Sequence, residues 1–582
     1  MRFLSCLLLC AASAMSCLAQ LSADQKLIDF QVLAGLFAKN YGAYEWKRDA
    51  VKFDLYNVVP WITRINNSKS DLEFYEICAE YVTGLKDVHV EFFVPSDFEA
   101  KLGFNVDIYD GKYLIDAIDR TVLDAKAFPF QIGDELISID GKSAQDWIDY
   151  ISQFQSFGEV RPTSRYSAVF LTNRIQSVIP RAAEIGDKAS VVVRLQSGEL
   201  FTYQIPWTKT GTALTSEGPV PTPKVRAGFR TARRPRSNPL PPAAPTTVEE
   251  ALRGVPAYKA SLARLQFNYA SKPIALRGVG DPRPVFKMPA TFRQHSNPLI
   301  YDGVFTSGGL RIGYLRIPDF EPTDAADLDI AYTYFDREIK YLQANTDGLV
   351  VDVMRNFGGF SCYSEDLMTR LVPYNFQAEG ISIRPTQIWL TQATQEIAAA
   401  ADPGSGAQQW EMDLLNAYYL EELSAFKENR GMTGPLPLCT LSFDRTPVAD
   451  QNGVSYAYTK PVILLTDEFT VSAADQFAAL FQDAKRGPVV GYRTAGAGGA
   501  RIVDQFQSGV YSESSVVVPQ AMMMRSQTVV TTDYPATRYV ENVGVRPDIL
   551  VDYMTVRNLL NNGSDFVDAF SAAIVAEINK KP

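Results

Sequence analysis

The second half of the chain alternates short, predominantly apolar runs with helical patterns. The runs are Leu310 to Ile317, Gly348 to Met354, Val462 to Thr466 and Val489 to Tyr492; helical periodicity fills Asp327 to Leu342 and Ser472 to Ala484. A strand that is apolar on both faces must be covered on both faces, and a helix crossing between two such strands supplies the cover. The pattern predicts an α/β core with parallel strands over residues 301–556. Residues 377–455 interrupt it with their own helical stretch, around Trp410 to Phe426, and a Pro-Gly-rich stretch, and are expected to be an insertion. A C-terminal helix is expected over 557–582.

Three different textures precede this core. Residues 20–98 read as helical: Ser22 with Gln25, and Ser70 with Glu73, have capping-box spacing, and Leu72, Tyr75, Cys78, Ala79 and Val82 form one helical face. Residues 99–208 read as a small β unit. Alternating residues from Asn105 to Tyr109 and from Tyr113 to Ile118 flank the hairpin signal Asp110-Gly111, and Ser190 to Leu195 and Phe201 to Ile205 follow. Residues 209–300 are a Pro-rich basic connector. Lys224, Arg226, Arg230, Arg233, Arg234 and Arg236 lie in it with no acid between Pro219 and Pro245, which suits an extended spacer. Its charge would either meet anionic lipid or an acidic patch, or simply be solvated.

The first nineteen residues, Arg2 followed by an apolar run from Phe3 to Met15, read as a signal peptide. Cleavage after Ala19 and lipidation at Cys17 are the two alternatives. The expected location is therefore outside the cytoplasm, in a periplasm or beyond the cell. No other stretch is long and apolar enough to span a bilayer. Beyond the leader the chain keeps Cys78, Cys362 and Cys439. An oxidising compartment would allow one bridge, with Cys362–Cys439 the leading pair, and three buried thiols are the other possibility.

With 56 lysines and arginines against 66 acids, the net charge is −10, which argues against nucleic acid as a partner. His89 and His295 are the only histidines, too few for a His-rich zinc site, though not against a carboxylate-bound ion. No metal and no cofactor is expected, and oligomeric state is left open.

The residues suited to chemistry cluster at strand ends. Ser472 follows the Val462–Thr466 run and opens a helical pattern, where unpaired amides and the helix dipole favour developing negative charge. Gly358-Gly359 closes the run through Asp352, and paired glycines let backbone amides approach a ligand. Val490-Gly491-Tyr492-Arg493-Thr494-Ala495-Gly496-Ala497-Gly498 and Glu541-Asn542-Val543-Gly544-Val545-Arg546-Pro547-Asp548 follow.

In this order, these elements resemble the C-terminal processing (tail-specific) peptidases and their tricorn-type relatives, a family of serine proteases. Asp352 to Gly359 carries one residue more than the family's turn. The resemblance implies a multidomain α/β protein with a crotonase-like core, and hydrolysis of peptide bonds in protein or peptide substrates without a metal. One branch of the family takes its base from a Gly-Lys-Gly lysine; here Ala497 stands in that place. The tricorn-type branch uses a histidine ahead of its PDZ domain and a distant glutamate, which Leu85-Lys86-Asp87-Val88-His89-Val90 and Glu541 resemble. The implied roles are Ser472 as nucleophile, His89 as base and Glu541 as its orienting charge. The amides of Gly358, Gly359 and Ala473 are the implied oxyanion hole. Residues 99–208 resemble a PDZ domain through Leu102-Gly103-Phe104, which implies binding of a substrate's C-terminal carboxylate, and through Gly133-Asp134-Glu135-Leu136 to Asp140-Gly141. The alternatives are a β domain that binds nothing and, for the whole chain, a non-catalytic relative that holds an apolar ligand or peptide in the same cleft.

Overall fold

A computed structural model of the 582-residue chain describes residues 20–215, 267–269, 276–297, 299–321 and 325–580. The leader and the stretch from Pro219 to Pro245 lie outside the described residues.

The expected core is a seven-stranded sheet in the order Arg293–Gln294, Tyr301–Ser307, Leu310–Arg316, Gly348–Asp352, Val462–Thr466, Val489–Gly491, Ile549–Leu550. The first three strands are joined antiparallel; from Leu310–Arg316 onward every pairing is parallel. The two middle strands, Gly348–Asp352 and Val462–Thr466, are wholly buried, as continuous apolar runs require. One face is packed by helices Ala325–Asn345, Ser361–Leu371 and Ala473–Asp483, through Ile339, Leu367, Phe477 and Leu480. The other is packed by the C-terminal helix Ser564–Asn579, through Phe566, Phe570 and Ile574.

A second sheet, which the apolar runs did not announce, is built around the long strand Ser515–Val529. It gathers segments from across the chain: Gly499–Gln507, Gly380–Ile383 from the insertion, and Glu91–Phe93 from the N-terminal region. The helical N-terminal region, Ala23–Asn40 to Asp71–Thr83, is thereby fastened to the half that holds the seven-stranded sheet. Gly42 lies so close to this strand that a Cβ there would stand 2.7 Å from the carbonyl carbon of Gln520. The Ser22–Gln25 capping box forms in full, whereas at Ser70 the hydroxyl takes the Glu73 amide and the Glu73 carboxylate takes the amide of Lys69.

The β domain contains the hairpin Phe104–Tyr109 and Lys112–Ile118, turned at Asp110 (φ 48°) and Gly111 (φ 75°). Two left-handed residues in succession match the twist of the strands they join. Helix Val160–Thr172, in the stretch longer than a minimal PDZ domain needs, covers the first strand: Arg165 holds Asp107 by two hydrogen bonds of 2.9 and 2.6 Å. The same helix docks the domain onto the core, since Arg165 and Arg161 both reach Glu468, and Arg161 also reaches Asp552. Burial alone would raise the pKa of Glu468, but Arg165 and Arg161 hold it below the usual carboxylate range. Among the described residues no helix is long and apolar enough to cross a membrane.

Cys362 and Cys439 are bridged, with Cα atoms 5.3 Å apart and a separation of 77 positions along the chain, while Cys78 is a buried thiol. The bridge ties the insertion, with its helices Gln387–Ala400 and Gln409–Lys427, to helix Ser361–Leu371. Closing a loop of this length is worth about 4 kcal/mol of chain entropy at most. Cys439→Ser is therefore expected to make the insertion the first site of cleavage in limited proteolysis. An unchanged digestion pattern would show that the insertion is held by packing alone.

Candidate active site

Strand Val462–Thr466 delivers the chain to a turn, and Ser472 stands where that turn becomes helix Ala473–Asp483. Its backbone has φ 63° and ψ −120°, a region that costs an L-residue about 1–3 kcal/mol. The surroundings over-determine it. The Ser472 amide donates to Asp475 Oδ2 at 2.9 Å, and the Asp475 amide returns a bond to the Ser472 side chain. Asp475 also accepts from the amides of Gly496 (2.9 Å) and Ala497 (3.1 Å), so one carboxylate fixes the serine turn against the glycine segment. Burial raises Asp475 to about 6 against the pull of these donors.

Gly358 leaves no room for a side chain: a Cβ there would stand 2.7 Å from the Cβ of Ser472 and 2.9 Å from the Ala473 nitrogen. Gly359 is as confined, at φ 133° with the Phe320 carbonyl oxygen 2.3 Å from where its Cβ would be. The paired glycines thus lie against the serine turn, as their spacing suggested. The Gly358 amide, however, donates to Asn356 Oδ1 at 2.8 Å. The extra residue of this turn is taken up between Asp352, whose Oδ1 accepts the Met354 amide, and Asn356, whose amide donates to the Val353 carbonyl.

His89 arrives from the other end of the chain, just before the strand Glu91–Phe93. Its Nε2 lies 3.0 Å from Ser472 Oγ, with both side chains buried. The His89 amide donates to Asp87 Oδ1 at 2.8 Å, and Tyr41 donates its hydroxyl to Asp87 Oδ2 at 2.6 Å. A neutral ring that accepts from the serine at Nε2 carries its proton on Nδ1, and Nδ1 lies over Gly499, 3.1 Å from where a Cβ would be.

Glu541 is fully buried. Its Oε2 accepts the Gly498 amide at 2.8 Å, and its Oε1 is paired with Lys47 from the helix Tyr44–Ala50. Burial and the neighbouring Asp87 charge push its pKa above the ordinary carboxylic range, while Lys47 and the Gly498 amide pull it back. Lys47 also donates to Asn542 Oδ1 (2.7 Å) and to the carbonyl of Lys86 (3.1 Å), and Asn542 Nδ2 donates to that same carbonyl at 2.8 Å. The Glu541-Asn542 segment thus clamps the turn that presents His89.

Leu102, Gly103 and Phe104 open the first strand of the β domain. The Leu102 amide donates to the Thr172 carbonyl at 3.0 Å, Gly103 adopts φ 84°, and the Phe104 ring packs on Phe130. Ala497 is buried beside the serine turn. Lys47, Asp87, Asp475 and Tyr41 were given no role by sequence reasoning. Asp87 and Asp475 lay inside the segments that drew attention to His89 and Ser472, so their proximity was a usable signal. Lys47 had none, being 494 residues from its partner in a helix of ordinary composition.

Residues 311–551 match the family model of peptidase family S41, and residues 99–214 match that of the PDZ domain. Over nearly its whole length the chain is 23% identical to a protein of Chlamydia trachomatis serovar D, covering 95% of this chain and 93% of that one. It is 22% identical to a protein of Chlamydia muridarum with the same coverage. Among solved structures it resembles mature CPAF, at 19% identity and TM-score 0.71, over 96% of this chain and 98% of that one.

Removing one partner of the buried Lys47–Glu541 pair strands a charge, at a cost of about 3–5 kcal/mol. Lys47→Met is expected to lower the melting temperature sharply, and Lys47→Met with Glu541→Gln to recover most of the loss. Calorimetry of the two variants checks this; equal losses in both would mean that the pair acts by packing rather than charge.

Proposed function

We propose, for a chain that belongs to peptidase family S41 and is a serine peptidase, that Ser472, His89 and Glu541 form its catalytic constellation in the manner of the tricorn-type branch. The observation that carries this reading is the 3.0 Å approach of His89 Nε2 to Ser472 Oγ, two residues 383 positions apart. His89 takes the hydroxyl proton as Oγ attacks a peptide carbonyl, and then gives it to the departing amine. Water, deprotonated by the same ring, releases the acyl group from Ser472 and returns the serine. Glu541 acts through the network that seats the His89 turn.

The oxyanion would be met by the amides of Ala473 and Gly359. The Gly358 amide would join them only by giving up its bond to Asn356. Ala497 supports the assignment of the base from the other side, since alanine accepts no proton. An extended substrate backbone suits the glycine edge. There Gly358–Phe360 already pairs antiparallel with Phe267–Tyr269 of the chain's own connector, which a substrate at that edge would have to displace.

We further propose that the protein is exported and cleaves protein or peptide substrates internally, with their C-termini read by the β domain. Its apolar start and the Cys362–Cys439 bridge favour an oxidising compartment. With the Leu102 amide already bonded to Thr172, carboxylate binding would rest on the amides of Gly103 and Phe104.

A serine-directed phosphonylating reagent is expected to label Ser472 alone, as read by peptide mapping. Ser472→Ala should lower peptidase activity by several orders of magnitude in a protein that still folds. Activity within about tenfold of the parent would remove Ser472 from the mechanism. For the β domain, peptides of one sequence with free and amidated C-termini should be cleaved at different kcat/KM, the free form faster. Equal rates would argue that the carboxylate is not read.

A further inference from the structure

Where the chain enters the central sheet, three side chains meet at its outer edge. His295 directly follows strand Arg293–Gln294, Asp302 lies on Tyr301–Ser307, and Glu338 on helix Ala325–Asn345. Their ligand atoms all lie within 4.8 Å of one another. His295 Nδ1 touches Glu338 Oε2 and stands 3.8 Å from Asp302 Oδ2. The imidazole lies flat on Tyr341, with ring centroids 4.0 Å apart and planes 4° apart, which fixes its direction. Glu338 is held from behind: its Oε1 accepts from Asn297 Nδ2 at 2.8 Å and from Arg337 Nε at 2.9 Å, leaving Oε2 to face His295.

Asp302 has no such support. It is 0% exposed, and among the described residues no donor of another residue is hydrogen-bonded to either of its oxygens. Its carboxyl group instead lies within hydrogen-bonding reach of the Glu338 carboxyl. Two buried carboxyl groups set face to face, with one oxygen pair wholly without donors, need either a shared proton or a cation between them. A shared proton would serve one contact and leave the second Asp302 oxygen bare. A cation would take a lone pair from each carboxylate and from the imidazole together.

We propose that His295, Asp302 and Glu338 bind a divalent transition-metal cation, with Zn2+ as the reference ion and water completing the coordination. One imidazole nitrogen and two carboxylate oxygens are a donor set for such an ion. Donors about 2.0–2.2 Å from zinc stand roughly 3.5 Å from each other, so Glu338 Oε2 has to draw back from His295 Nδ1 by about 1 Å, while Asp302 Oδ2, 3.8 Å from that nitrogen, is already near its place. The half-buried histidine, 29% exposed, leaves a way in from solvent. Arg337 offsets part of the negative charge, so the site carries a net charge of about one, enough for one ion and not two. The ion's role is structural: it pins the first strands after the connector to helix Ala325–Asn345. Strands Leu310–Arg316 and Gly348–Asp352 separate Tyr301–Ser307 from the strand that presents Ser472.

The test uses the full chain without a histidine tag, stripped with a chelator and titrated with Zn2+ by calorimetry, with melting followed by scanning fluorimetry. The expected result is one Zn2+ per chain and a melting temperature raised by several degrees. Asp302→Asn and His295→Gln should each weaken Zn2+ binding by at least about tenfold. The rate of Ser472 phosphonylation in His295→Gln should match the parent. No saturable binding, or Zn2+ affinity unchanged in both variants, overturns the proposal. So does an apo Asp302→Asn protein that melts higher while Zn2+ has no effect on the parent, the signature of a shared proton. Should Asp302→Asn fail to fold, His295→Gln, at the partly exposed position, decides the question alone.

Discussion

The arrangement turns on a buried cation. Lys47, in a seven-residue helix near the start of the described chain, inserts its ammonium among Glu541, Asn542 and the carbonyl of Lys86. A charge pair removed from water in this way contributes little net stability, but it is intolerant of misplacement, because any displacement leaves a charge uncompensated. Here that intolerance has a direction. The Lys86 carbonyl lies three residues before His89, and Asn542 reaches the same carbonyl, so correct seating of the pair sets the turn from which the imidazole projects. The strand Glu91–Phe93 then locks the following residues into the second sheet.

The serine's side of the site is organised by a different device. Ser472 is kept at positive φ by a carboxylate that accepts three amides, and the strain is tolerated because Asp475 is buried and has no better use for its lone pairs. Gly358 packs its bare Cα against the serine's Cβ, so Ser472 has a wall on one side and the imidazole within bonding distance on another. With Ala497 in the lysine-branch position, the amide there does structural work as a donor to Asp475.

How much of this was readable from the chain depends on the range of the interaction. The parallel sheet was legible because a strand buried on both faces writes an unbroken apolar run, as in Val462 to Leu465. The Asp110-Gly111 hairpin was legible because its turn chemistry is local. The second sheet was not, since Ser515–Val529 takes partners from the N-terminal region and the insertion, and nothing in Glu91–Phe93 alone names its neighbour. Ser472, His89 and Glu541 stood out through the motifs around them. The commitment of the Gly358 amide to Asn356, the Leu102 amide to Thr172 and the Lys47 charge to Glu541 are long-range or backbone facts that no spacing encodes. His295 was set aside for want of a catalytic role, and its carboxylate partners became visible only once strand and helix were placed.

The central claim, that an imidazole from the N-terminal region serves a serine on the core, is tested most directly by the pH dependence of kcat/KM. The parent and His89→Ala are compared, with circular dichroism showing both folded. A base must be neutral to accept the Ser472 proton, so the parent's rate should fall as pH drops and the ring becomes charged. In His89→Ala that acidic limb should vanish along with several orders of magnitude of rate. A folded His89→Ala protein that keeps both the parent's rate and its acidic limb would contradict the account.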